Sequence, residues 1–184
     1  MTNVNADIIF LTDSSQTVSP QAYRLEKSFV KVLAQYLNVS PGKSRGAFVT
    51  YGSTALPVYP LGTTGFYNYI DGARYVDGVR RLDVVLQDGL QILRFSREEV
   101  PSLIVLITTG NQALGAPPAE IAARQVGNLS GKLFVIMVGS EPREDEFLKL
   151  VENRAHLFRV PSIFGMASSV NSLALQIEEI LRKG

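Results

Sequence analysis

The chain has no cysteine, which excludes disulfides, thiolate zinc sites and cysteine nucleophiles and leaves the redox compartment open. Its one histidine is His156, and it has no Gly-x-Ser-x-Gly elbow, so a Ser-His-Asp triad is not expected. His156 falls near a helix end, where a capping or surface role is expected. No apolar run approaches the ~20 residues that cross a bilayer. Ile8 to Leu11 is too short for a signal-peptide core and lacks a basic flank. The expectation is a chain that acts in the cytosol or forms part of a larger secreted protein. Charge imbalance is also missing: the net charge is +1, which argues against recruitment of nucleic acid or membrane surface by bulk electrostatics. There is no Gly-x-Gly-x-x-Gly. Gly42-Lys43-Ser44 has the ending of a P-loop, but Leu37 stands where the first glycine belongs, and the triplet precedes a strand. Repeats, low-complexity runs and linkers are absent too, so residues 1–184 are expected to form a single domain.

What is present is an ordinary globular composition, 46% hydrophobic and 19% charged. Ile8 to Leu11 reads as a strand buried on both faces, ending in Asp13 and followed by hydroxyls at Ser14, Ser15 and Thr17. Ser19-Pro20 supplies an N-cap and a first-turn proline. The helix behind them places Leu25, Phe29, Val32, Leu33, Tyr36 and Leu37 inward and stops at Asn38 and Pro41-Gly42. A strand from Arg45 to Tyr51 follows, then an extended edge segment from Ala55 to Leu61 marked by Pro57 and Pro60. Phe66 to Val76 is expected as a short helix. A second helix carries Leu82, Val85, Leu86, Gly89, Leu90 and Leu93 on one face. Leu103 to Ile107 is a buried strand, Pro117 to about Leu129 a helix, and Leu133 to Val138 another strand. A helix opened by Ser140 to Asp145, with a candidate cap, Pro142 and three acids, and running to about Ala155, a strand near Leu157 to Pro161 and a last helix complete the chain. The last helix turns Val170, Leu173, Ile177, Ile180 and Leu181 inward. Strands alternating with helices predict a doubly wound α/β fold: a mostly parallel sheet, one antiparallel edge strand, and helices on both faces.

In such a sheet ligands sit outside the carboxyl ends of the strands, where strand order reverses. The two most apolar strands are the candidates for the central pair, and they end in Asp13-Ser14-Ser15 and Thr108-Thr109-Gly110-Asn111. A carboxylate with alternate hydroxyls is a plausible oxygen-ligand set for a hard cation. The same residues also cap helices and close turns without any ion. Tyr67, Tyr69 and Tyr75 with Arg74, Arg80 and Arg81 form an aromatic and arginine cluster of the kind enriched at interfaces, with packing of a short helix the preferred explanation. A phosphate-handling receiver-like domain would need an acidic pair and a phosphoacceptor aspartate, and the chain offers Asp13 and Thr109.

Asp13-Ser14-Ser15-Gln16-Thr17 resembles the Asp-x-Ser-x-Ser signature of von Willebrand factor type A domains, and Leu106-Ile107-Thr108-Thr109-Gly110 resembles that family's Ile-Thr-Asp-Gly turn. The match runs along nearly the whole chain and is greatest to the tandem A-type modules of collagen VI, in particular the N-terminal array of its alpha-3 chain. The resemblance implies a Rossmann-like fold and a metal-ion-dependent adhesion site taking Mg²⁺ or Mn²⁺ at five positions. Asp13, Ser15 and Thr17 keep oxygen ligands, but Leu82 replaces a threonine and Thr109 an aspartate. With one carboxylate left, the site is expected to be degenerate, weak or empty for Mg²⁺ or Mn²⁺, with no cofactor required. Asp83 compensates only if the local backbone departs from the family pattern.

The resemblance further implies a non-enzymatic module of a secreted extracellular matrix chain, contributing to filament assembly and adhesion. Its partners would be matrix proteins, neighbouring A-type modules and cell-surface receptors, with no nucleic acid and no membrane insertion. The sequons at Asn38 and Asn128 are candidate glycosylation sites in that setting. The alternative is a Mg²⁺-dependent adhesion domain that captures a partner's acidic residue through Asp13, Ser15 and Thr17.

Overall fold

A computed structural model describes residues 2–59, 61–62 and 64–184. Six strands, β1 (Asp7–Asp13), β2 (Arg45–Tyr51), β3 (Ala55–Tyr59), β4 (Ser102–Thr108), β5 (Gly131–Val138) and β6 (Leu157–Val160), form one sheet in the order β3-β2-β1-β4-β5-β6. Every pairing is parallel except β2 with β3. The central strands β1 and β4 are buried along their whole length, and strand order reverses between them. That is the doubly wound α/β sheet with an antiparallel edge expected from the alternating pattern. Pro57 lies in β3, where one flank carries no ladder to break; Pro60 lies outside the described residues, and Leu61, expected in the extended segment, is in a turn.

Alternate residues of each strand feed two cores. Ile8, Phe10, Phe48, Val105, Ile107 and Phe134 pack beneath α1 (Pro20–Tyr36), α2 (Phe66–Gly72) and α6 (Met166–Lys183). Ile9, Leu11, Val49, Ile104, Leu106 and Val135 pack beneath α3 (Leu82–Leu93), α4 (Glu120–Asn128) and α5 (Glu144–Leu148). Gly89 has a structural reason: a Cβ there would stand 3.1 Å from Ile104 Cδ1, so the glycine sets the approach of α3 to the sheet.

Several elements differ from expectation. The buried stripe of α1 is Tyr23, Glu26, Phe29, Val30, Leu33 and Ala34, while Leu25 and Val32 are exposed. Small Ala34 and the carboxyl of Glu26 lie inward, so counting large apolar residues alone rotates the face. The helix expected to reach Val76 ends at Gly72, because Tyr75 and Val76 are drawn to the loop after β1. There the Tyr75 hydroxyl donates to the carbonyls of Ser15 and Val18, and Val76 N donates to Ser14 Oγ. α4 opens at Glu120, three residues beyond Pro117. α5 stops at Leu148, and a separate 3-10 turn at Arg154–His156 leads into β6. His156 is buried against Phe134, with ring centroids 4.7 Å apart, instead of lying at the surface. Burial holds its imidazole below the usual pKa.

Candidate functional site

β1 ends in a buried polar residue because its neighbours supply donors to it. Asp13 Oδ1 accepts from Ser15 N at 2.9 Å and Ser15 Oγ at 2.7 Å. Its other oxygen, Oδ2, accepts from Thr109 N and Thr109 Oγ1, each at 3.0 Å. The remaining partner of Oδ2 is a cation. Arg80 Nε donates to it at 2.7 Å, with the Asp13 side chain fully buried and that of Arg80 9% exposed. Arg80 Nη2 donates to Thr17 Oγ1 at 2.5 Å and to Thr109 Oγ1 at 2.9 Å, and Nη1 to the Asn111 carbonyl at 3.2 Å. Removing one member of such a buried pair costs about 3–5 kcal/mol, because the other charge is left without compensation.

The segment before α3 delivers this arginine by backbone hydrogen bonds. Asp77 N donates to the Ser14 carbonyl, Gln16 N to the Gly78 carbonyl, and Arg81 N to the Gly52 carbonyl. Asp77 and Gly78 both have positive φ, 69° and 81°, which turns the chain sharply into Arg80. Two glycines make room. A Cβ on Gly52 would stand 2.0 Å from the Asp77 carbonyl oxygen, and one on Gly110 would stand 2.3 Å from Arg80 Nη1. Asn111 extends the network to the loop after β5, accepting from Arg143 N at 2.8 Å.

The structure thus brings Asp13, Ser15, Thr17 and Thr109 together, and it leaves Leu82 out. The Leu82 side chain is buried in the apolar core, and only its backbone N reaches a polar group, Gln112 Oε1 at 2.6 Å. Asp83 does not swing in. Arg81 and Gln112 Nε2 hold its carboxylate, and their hydrogen bonds outweigh the opposing effect of burial and keep its pKa low. Of the aromatic and arginine cluster, Tyr67 bonds the Val39 carbonyl and Tyr75 the loop after β1, which is packing. Arg80, which the sequence reading placed in that cluster and not among the metal positions, is the one whose role at Asp13 it missed. Of the two sequons, Asn128 is exposed at the end of α4, whereas Asn38 uses its amide nitrogen on the Val4 carbonyl at 3.2 Å.

As a divalent cation site the donor set does not fit. Mg²⁺ usually takes one or two carboxylates in a strict octahedron. Here the one carboxylate has both oxygens engaged, and a guanidinium already stands against it. Among the described residues no three His, Cys, Asp or Glu side chains converge to hold a metal.

The chain thus places Asp-x-Ser-x-Thr at the switch point of a doubly wound α/β sheet. The family model of the von Willebrand factor type A domain matches residues 7–171, and the chain belongs to that family. Similar proteins include mouse Matrilin-2, 30% identical over 183 residues (88% of this chain and 19% of that protein). Human von Willebrand factor A domain-containing protein 2 is 28% identical over 141 residues, 72% of this chain and 18% of its own length. Chicken Matrilin-1 is 25% identical over 154 residues, 78% and 30% respectively. The chain therefore spans a third or less of these relatives. They carry the family assignment, and they do not single out collagen VI alpha-3. Among solved structures, proximal thread matrix protein 1 from the mussel byssus superposes with a TM-score of 0.84 at 17% identity, over 95% of this chain and 48% of that one. Another structure of the same protein, with a zinc-occupied adhesion motif, gives 0.81 at 22% identity, over 96% and 46%. These likenesses concern the fold.

Proposed function

We propose that the chain is a non-enzymatic interaction module of a secreted extracellular matrix protein, and that it binds its partners without a divalent cation. The observation that carries this reading is the Arg80 guanidinium seated on Asp13 where a cation would act. A partner's carboxylate captured through a metal would need an open coordination position, and this site offers instead a closed hydrogen-bond network. Relatives named as matrilins support the matrix setting. The partners are other matrix proteins, neighbouring A-type modules and cell-surface receptors. Filament assembly of the collagen VI type is the finer form of the same proposal. In that setting Asn128, exposed at the end of α4, is the better placed of the two glycosylation candidates.

The test is solid-phase binding of the chain to a panel of purified matrix proteins, in EDTA and in millimolar Mg²⁺ or Mn²⁺. Binding that is equal in both buffers is the expected result. Binding that vanishes in EDTA and in Asp13→Ala would overturn the proposal in favour of metal-dependent capture of an acidic residue.

A further inference from the structure

We infer that the Arg80 guanidinium is a tethered cation standing in the place of the family's divalent ion, so that the adhesion site is a latent metal centre closed by the chain's own arginine. This rests on the metal-free reading above and adds what maintains it. Three of the five positions assigned to the metal by the family likeness, Asp13, Thr17 and Thr109, are hydrogen-bonded directly to this one guanidinium. A fourth, Ser15, braces Asp13 from its other oxygen. The group therefore lies among the ligand positions instead of beside them.

Charge balance gives a second argument. The family site matches a doubly charged ion with two aspartates. Here Thr109 replaces one aspartate and Arg80 supplies one fixed positive charge, so a single charge faces a single carboxylate. The two departures compensate each other: a retained aspartate at 109 would leave excess negative charge beside Arg80, and a divalent ion on Asp13 alone would leave excess positive charge in a buried site.

Shape gives a third argument. A guanidinium presents a planar fork of donors, whereas an octahedral ion collects oxygens from all sides. Arg80 uses Nε, Nη1 and Nη2 on acceptors from two segments, residues 13–17 after β1 and 109–111 after β4, and Gly110 leaves the space against which Nη1 lies. In this chain the arginine ties the loop after β1 to the loop after β4, so the top of the sheet is set without a bound cation.

The experiment is thermal unfolding of the chain in EDTA and with Mg²⁺, Mn²⁺ or Zn²⁺ alone. It compares the natural chain with Arg80→Ser, Arg80→Ser/Asp13→Asn and Arg80→Ser/Thr109→Asp. The natural chain is expected to melt at the same temperature in every buffer. Arg80→Ser should melt several degrees lower in EDTA and recover with millimolar Mn²⁺, a recovery that Asp13→Asn removes. Restoring the second carboxylate in Arg80→Ser/Thr109→Asp should lower the Mn²⁺ concentration needed by about tenfold or more, the scale of one added strong contact. If Arg80→Ser is unfolded in EDTA, return of its circular dichroism on adding Mn²⁺ gives the same result. Arg80→Lys, which keeps a charge, should fold and ignore the ions. Two outcomes overturn the inference. One is stabilisation of the natural chain by an ion, lost in Asp13→Asn, which would mean that the guanidinium gives way. The other is the absence of any ion response in both Arg80→Ser and Arg80→Ser/Thr109→Asp. The assay contains no partner, so a chain that failed to bind matrix proteins would still give these shifts.

Discussion

Glu26 stands on the inward stripe of α1, fully buried, and neither of its carboxylate oxygens has a hydrogen-bond partner among the described residues. Burial, and then the nearby charge of Asp13, pushes its pKa well above the ordinary carboxylate value, and Arg80 only partly opposes them. Tyr23 on the same helix and Tyr51 on β2 also face this region, and burial raises the pKa of both hydroxyls. A carboxyl raised in the folded state contributes stability that is fully present below its unfolded pKa, near 4.5, and lost as pH rises through the folded value. Glu26→Leu should therefore stabilise the chain at pH 7 by about 1–3 kcal/mol, the desolvation cost of a buried polar group without a partner. Against the natural chain the gain should shrink as pH falls towards 4.5. Chemical denaturation of both proteins at several pH values checks this, and a gain independent of pH would mean that Glu26 is not the titrating group.

At the scale of elements, β1 is anchored at both ends by a buried aspartate. At its carboxyl end is the Asp13–Arg80 pair; at its amino end Asp7, also fully buried, receives Arg45 Nε at 2.9 Å, Arg97 N at 2.7 Å and Arg97 Nη2 at 2.8 Å. These bonds tie β1 to the start of β2 and to the segment before β4. Burial raises the Asp7 pKa, but the hydrogen bonds from Arg45 and Arg97 outweigh it and hold the carboxyl below 3.8. A lowered carboxylate gives stability that is present above the unfolded pKa and lost as pH falls through the folded one. Asp7→Asn should cost about 3–5 kcal/mol at neutral pH, the usual penalty for breaking one side of a buried ion pair. The loss relative to the natural chain should diminish only below pH 3.8. Equilibrium unfolding in urea at pH 7 and at pH 3 makes the comparison.

The elements themselves were largely legible, because buried parallel strands and amphipathic helices write their periods into the chain. The central pair could be named from Ile8 to Leu11 and Leu103 to Ile107, and the helix from Ser19-Pro20, whose Ser19 Oγ does accept from Ala22 N at 3.0 Å. The site was legible only as a deficit, in Leu82 and Thr109. What fills that deficit is placed by a loop held through Ser14, Gln16 and Gly52, and loop paths have no periodicity to read. A usable signal was present all the same. An arginine two residues before Leu82, in a chain that had lost one carboxylate at Thr109, is the charge change a tethered cation requires.

At the scale of the whole molecule, the ends and the site lie on opposite sides of the sheet. Thr2 N donates to the carbonyl of Tyr36 at the end of α1, Asn3 N to Glu178 near the end of α6, and Gly184 lies against Lys132 at the start of β5. All of these are at the amino ends of the parallel strands. The loops around Arg80 are at the carboxyl ends, and three loops at these ends expose apolar side chains, Val79 and Leu114 near Arg80 and Phe164 after β6, the last two 103% and 84% accessible. On the metal-free reading proposed above, exposed aromatic and aliphatic groups at this end of the sheet are suited to partner contact, since a preorganised surface loses little entropy on binding. Leu114→Asp and Phe164→Asp should each weaken capture of a matrix partner by about tenfold, equivalent to ~1.4 kcal/mol, with no change in melting temperature. Leu175→Asp, at a half-exposed position on α6 away from these loops, serves as the comparison and should bind as the natural chain does. Surface plasmon resonance in EDTA measures all three variants, and equal affinities for the loop variants and the natural chain would place the binding surface elsewhere.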